Sequence, residues 1–230
     1  TRILREIVAG IRAEGNQIDL AVRLSTFDMV PHRPDPELST PGKLGPGIPE
    51  EHTTPYPYQF GVNPDDPTQI DLRETVAFVN LCGELGIKLL NTTAGSPYYT
   101  PHLQRPAAYP PSDGYQPAYD PLIDLARPIE VVRQLKAALP KGMAIIASGL
   151  SYLQEYLPHV CQALLRDNWT DCVGLGRVVL SYPDILAAAM EQGGLEKRLI
   201  CRTFSDCTTA PRKGLPSGCF PLDDVYAQSA

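Results

Sequence analysis

Ile145-Ile146-Ala147-Ser148-Gly149 and Val173-Gly174-Leu175-Gly176-Arg177 decide the fold of this chain. Each is a short apolar run that reads as a buried parallel strand and ends in small residues just before a helix-like stretch. Such an end leaves backbone N–H groups pointing outward with no side chain to block an anion. Two adjacent ends of this kind make a phosphate site, and in a (β/α)8 barrel the loops after strands 7 and 8 are where phosphate commonly binds. Arg177 adds a charge-assisted contact that can be bidentate. The continuation Ser181-Tyr182-Pro183-Asp184 suits the first turn of a further helix.

Working outward, strand and helix patterns alternate through most of the chain. Ile3, Leu4, Ile7, Val8 and Ile11 have helical spacing within residues 1–14, and Asp19 to Leu24 reads as a strand. Asp71 caps a helix carrying Val76, Val79, Leu81 and Leu85 that stops at Gly86, and Lys88 to Thr92 is the following strand. Pro128 to Leu139 is a helix, Met143 to Ala147 a strand, Leu153 to Leu165 a helix and Cys172 to Leu175 a strand. The alternation implies right-handed βαβ units and a parallel sheet.

Four quoted segments carry a family resemblance: Val22-Arg23-Leu24-Ser25, Asn91-Thr92-Thr93-Ala94-Gly95-Ser96, Ala147-Ser148-Gly149 and Gly174-Leu175-Gly176-Arg177. In order and spacing the chain resembles the old yellow enzyme family of NADH:flavin oxidoreductases, FMN-containing TIM barrels that reduce activated alkenes. The resemblance implies an α/β fold, namely the C-terminal half of a (β/α)8 barrel over residues 1–200, followed by a cysteine-containing tail at 201–230. It implies FMN as cofactor and NADH or NADPH as reductant. Arg23 would reach the N1 and C2 carbonyl edge of the flavin, and Ser148, Gly149, Gly176 and Arg177 would hold its phosphate. From residue type alone, Arg23 can equally be half of an internal ion pair with a barrel carboxylate.

The family's histidine pair, and with it the catalytic acid, would lie upstream of Thr1. His102 and His159 read as isolated and offer no replacement. The expected partners are therefore a small-molecule substrate and the N-terminal half-barrel, in the same or another chain, since open sheet edges are avoided in native proteins. Two other readings stay open: a non-catalytic half-barrel that binds a phosphorylated ligand, and another phosphate-binding TIM barrel.

The 24 prolines cluster. Residues 26–70 hold ten of them and 97–126 seven, both leaving strand ends on the face that is catalytic in a TIM barrel. The first insertion reads as a structureless cover over the flavin or a contact with another subunit of a homo-oligomer. His32 and His52 within it lack metal-ligand spacing and read as surface residues. In the second loop Tyr98, Tyr99 and His102 sit nearest the strand end and are the substrate-loop candidates, while the other tyrosines pack the loop.

A formal net charge of −6 argues against a nucleic-acid partner, and no apolar run approaches the about 18 residues of a membrane span. Six cysteines are too sparse for a disulfide scaffold and point to the cytoplasm. Cys82, Cys161 and Cys172 read as small hydrophobes. Cluster-bearing relatives use C-x2-C-x3-C-x11-C. Cys207 and Cys219 match its last pair and Cys201 stands near its first position, but Phe204 and Ser205 occupy the region of the second ligand. An iron–sulfur cluster, normally held by four thiolates, is not expected.

Overall fold

The computed structural model describes every residue except Pro110, Ser112, Asp113, Gln192, Ser229 and Ala230. Four strands, β1 (Ala21–Ser25), β4 (Leu89–Thr93), β5 (Ala144–Ala147) and β6 (Cys172–Val173), form one parallel sheet in chain order. Between β1 and β4 lie β2 (His32–Pro34) and β3 (Gly47–Pro49), which pair antiparallel as a separate ribbon. Arg23 is level with Asn91, and Asn91 with Ile146. Ile146 is in turn level with Cys172.

Alternation along the strands separates two faces. Val22, Leu24, Leu90, Ile145 and Ala147 point into the main core with Val79 of α2 (Arg73–Glu84) and Val131, Val132 and Leu135 of α4 (Pro121–Ala137). Leu90, Leu135 and Ile145 are fully buried, and each such side chain contributes about 1.5–3 kcal/mol relative to exposure. Residues of the other parity, Arg23, Leu89, Asn91, Thr93, Ala144, Ile146 and Cys172, are half-buried or exposed. No hydrophobic cluster forms on that face among the described residues.

Helix α1 (Arg2–Ala13) covers residues 1–14 as expected, with Val8 packed against Cys82 and Ile87, while Ile3 and Ile7 are exposed. Asp71 accepts a hydrogen bond from the Arg73 backbone N–H at 3.1 Å, and Gly86 turns the chain with a φ of 72°.

Four boundaries differ from the sequence reading. Helix α4 begins at Pro121 rather than Pro128, because the Asp120 carboxylate accepts the Leu122 N–H and Pro121 fits the first turn. Pro128 then sits inside the helix. The stretch from Leu150 to Tyr156 winds as a 3-10 turn, and only Leu157–Arg166 is a regular helix, α5. Strand β6 is two residues long because side chains replace part of its ladder. Thr170 Oγ1 donates to Ile145 O at 3.0 Å, and Asp171 Oδ2 accepts Ile145 N–H at 2.9 Å. Finally, residues 26–70 are not structureless. Besides the ribbon, Asp28 bridges to Phe60 and Val62 to Ile70, and Thr75 Oγ1 donates to Thr26 O at 2.8 Å.

Leu150, Leu157, Val178, Tyr182 and Ile200 form a second core with Ile185 and Ala188 of α6 (Ile185–Glu191). Cys201 joins that core, so the tail is packed from its first residue. The remaining short helices are α3 (Pro101–Gln104), α7 (Asp206–Arg212) and α8 (Asp224–Ala227).

Candidate functional site

The C-terminal ends of the four parallel strands open onto a cavity of about 270 Å³ on the uncovered face of the sheet. Arg23 enters it from β1, Asn91 and Thr93 from β4, Ser148 and Gly149 from the end of β5, and Gly176 and Arg177 from the end of β6. All five residues expected at a cofactor thus line one space.

Arg23 is exposed, donates to Thr93 Oγ1 at 3.4 Å and has no carboxylate partner among the described residues. The internal ion pair that residue type alone allowed is not formed. Gly149 has φ 87° and ψ 12°, in the left-handed region that costs other residues energy. A Cβ there would meet only Gln104 O, at 3.7 Å, so glycine is required by conformation and not by space. Ser148 Oγ donates to Thr92 O, which commits the hydroxyl proton to the sheet.

After Gly149 and after Gly176 the chain makes only short 3-10 turns. The positive field of the cavity therefore comes from guanidinium groups and not from long helix dipoles.

Arg177 Nη1 donates to Thr208 Oγ1 at 2.7 Å and Nη2 to Gln104 Oε1 at 2.9 Å. Burial, and then the neighbouring Arg105, lower its pKa to about 10. Arg105 itself was not anticipated. Its Nη2 donates to Cys201 Sγ at 2.8 Å and its Nη1 lies 3.8 Å from Cys207 Sγ, while its buried Nε has no partner among the described residues. Thr208 and Gln104 were missed as well. The loop that carries Gln104 and Arg105 is held by Leu103, buried in the main core, and by Thr100 Oγ1, which accepts the Ser96 N–H at 3.0 Å. Gly95, with φ 60°, allows that turn, since a Cβ would collide with Thr100 Oγ1.

The histidines correct the sequence reading most. His32 is buried, not on the surface, and His102 is not isolated. His32 Nδ1 donates to Val30 O at 2.9 Å. His102 Nδ1 meets Tyr115 Oη at 2.8 Å, and Tyr115 Oη donates to Tyr99 O at 3.3 Å. His102 Nε2 is buried without a partner among the described residues. Burial, followed by His32 and Arg127, pushes the His102 pKa down to about 3, and burial lowers that of His32 as well. Both rings are therefore neutral at ordinary pH. Asp124, fully buried and 2.9 Å from Arg127, is raised to about 7 by burial. His52 is exposed, as expected.

Of the substrate-loop candidates, Tyr98 and Tyr99 are exposed. Tyr98 stacks 5.0 Å from the Arg212 guanidinium and lines an open groove beside Arg177. His102 instead borders a void of about 20 Å³, room for one water, behind Arg105 and Arg177.

Cys201, Cys207 and Cys219 are unbridged and border one small void with Arg105 and Arg177. Cys82 is fully buried and Cys161 is half-buried in the second core, but Cys172 is exposed and does not act as a core residue. Cys172 is level with Ile146 on the uncovered face of the sheet, while Val173 beside it packs against the second core. Among the described residues no helix is long and apolar enough to cross a membrane.

No protein-family model and no curated protein matches the chain.

Proposed function

We propose that this chain is half of an FMN-binding (β/α)8 barrel in an NAD(P)H-dependent flavin oxidoreductase of the old yellow enzyme type. The observation that carries the reading is the convergence of Arg23, Asn91, Ser148, Gly149, Gly176 and Arg177 at the strand ends of a sheet covered by helices on one face only.

Parallel sheets are normally covered on both faces. Strands in chain order, helices outside and a half-buried face with Leu89 and Ile146 on it suit a barrel wall awaiting its other half. Exposed Ile3 and Ile7 on α1, at the first edge, favour the same completion.

The residues fit a flavin phosphate. Arg177 and Arg105 bring positive charge without a carboxylate partner among the described residues, and the left-handed Gly149 leaves the β5 exit open to a close ligand. Further along, among the described residues Arg23 has no carboxylate partner and Asn91 Oδ1 is a buried acceptor with no partner, so a charged and a hydrogen-bonding contact face the inner wall. Bound there, FMN supplies the redox chemistry, moving hydride from NADH or NADPH to an electron-poor alkene or similar acceptor. The chain's own residues bind and orient. Arg177 holds the phosphate end, Arg23 favours negative charge at the ring edge, and Tyr98 borders the approach. The catalytic acid belongs to the other half-barrel.

The test is to isolate the native protein without denaturation, release its bound small molecules with acid and identify them. FMN in stoichiometric amount supports the reading. A phosphorylated ligand without an isoalloxazine ring would instead favour another phosphate-binding barrel, and a flavin-free protein that fails to quench FMN fluorescence on titration would end the flavin proposal.

A further inference from the structure

Arg105 is 5% exposed, yet its partners among the described residues are two cysteine sulfurs and no carboxylate. Two cysteine sulfurs take its Nη groups, and its Nε has no partner among the described residues. Arg177 beside it is held by a hydroxyl and an amide oxygen. Neither guanidinium has a carboxylate within 4.0 Å among the described residues, although the same molecule pairs Arg127 with Asp124 at 2.9 Å. Burying one arginine without a carboxylate is costly, and burying two side by side is more so, because like charges repel in a poorly solvated site. A ligand that supplies two negative charges would offset both penalties.

We propose that Arg105 and Arg177 together form a two-charge receptor selecting the dianionic terminus of a phosphomonoester over singly charged phosphodiesters. The inference rests on the phosphate site of the proposed function and adds to it Arg105 and a charge requirement. The cavity geometry supports it, since both arginines line the space that also holds Ser148, Gly149 and Gly176. Cys201 and Cys207 on one side, and Gln104 and Thr208 on the other, fix the two forks before a ligand arrives, which lowers the ordering cost of binding. Arg23 shares the cavity, farther along β1. Asp206 and Arg202 border the void behind Arg105, one of each sign, and leave the local balance positive.

The experiment compares two probes by calorimetry on the full chain at pH 7.5: inorganic phosphate, mostly a dianion there, and dimethyl phosphate, a monoanion. Wild type should bind inorganic phosphate about tenfold or more tighter, the scale of one charge-assisted contact. Arg105→Gln should remove most of that preference while changing dimethyl phosphate binding about twofold or less. Equal binding of the two probes by wild type, a comparison that needs no variant, overturns the proposal. So does a preference that survives Arg105→Gln in a folded variant. A parallel FMN titration separates the two readings. Monoester preference without FMN binding defeats only the flavin assignment, whereas FMN binding without monoester preference defeats only the role of Arg105.

Discussion

The imidazoles of His32 and His102 stand with ring centroids 4.7 Å apart and planes tilted by 55°, although 70 positions of chain separate them. His32 comes from the Pro-rich insertion after β1 and His102 from the loop after β4, so this contact ties the two loops together above the sheet. Two neighbouring imidazoles tolerate burial only if neither is protonated. The pair therefore links loop packing to pH.

His102 binds its proton more weakly in the folded chain, at about 3, than in the unfolded chain, near 6.5. Its contribution to stability is present above the unfolded value and is lost as pH falls from 6.5 toward 3, by about 1.4 kcal/mol per pH unit. His32 acts with the same sign. His102→Gln, which keeps a polar group against Tyr115, should flatten the acid side of the stability profile measured by urea unfolding. An unchanged slope would show that His102 is protonated in the native state.

Asp124 acts oppositely. Its pKa rises from 3.8 to about 7, so its contribution is complete below the unfolded value and is lost as pH rises through the folded one. Between about pH 4 and 6.5 it partly cancels the histidine slope. Asp124→Asn should remove the cancellation, making the protein more acid-labile by up to about 1.4 kcal/mol per unit while relieving a burial penalty above pH 7. Parallel profiles for wild type and variant would refute the assignment.

Arg177→Ala should weaken FMN retention by about 1 to 3 kcal/mol, the range for a hydrogen bond to a charged group. Fluorescence titration of the flavin reads this directly. Affinity equal to wild type would remove Arg177 from the phosphate site.

Gly149→Ala tests the β5 exit without altering charge. The left-handed backbone should cost about 1–2 kcal/mol, and the space for a Cβ means that no steric collapse accompanies it. Thermal unfolding should show a loss of that size with the fold intact.

Ile145→Ala, at the centre of the sheet and fully buried, should cost about 2–5 kcal/mol through lost burial and the cavity left behind. A loss under 1 kcal/mol would mean that the sheet does not pack as described.

Element type was legible along most of the chain because it depends on local periodicity. The three-to-four-residue spacing of Leu4, Val8 and Ile11, and the run Ile145 to Ala147, each name their element without reference to anything distant. Boundaries were less legible where side chains compete for the backbone. Asp120 and Pro121 start α4 a full two turns before Pro128, and Thr170 and Asp171 take over hydrogen bonds that a longer β6 would have made. A closer look at Asp120-Pro121 could have found the first of these, since a capping carboxylate before proline is a helix-start signal.

By itself the sequence determined the parallel α/β alternation and the small-residue strand ends after β5 and β6 that bring Ser148, Gly149, Gly176 and Arg177 to one site. Parallel strands share their exit, which suffices for that, whereas residue type left Arg23 open between a ligand contact and an ion pair. Only the tertiary structure decided that Arg105 stands beside Arg177 with Cys201 and Cys207 as its partners, and that His32 lies against His102. Those contacts join segments from about 70 to 100 positions apart, so their energies depend on loop closure and on burial, neither of which leaves a periodic trace in sequence.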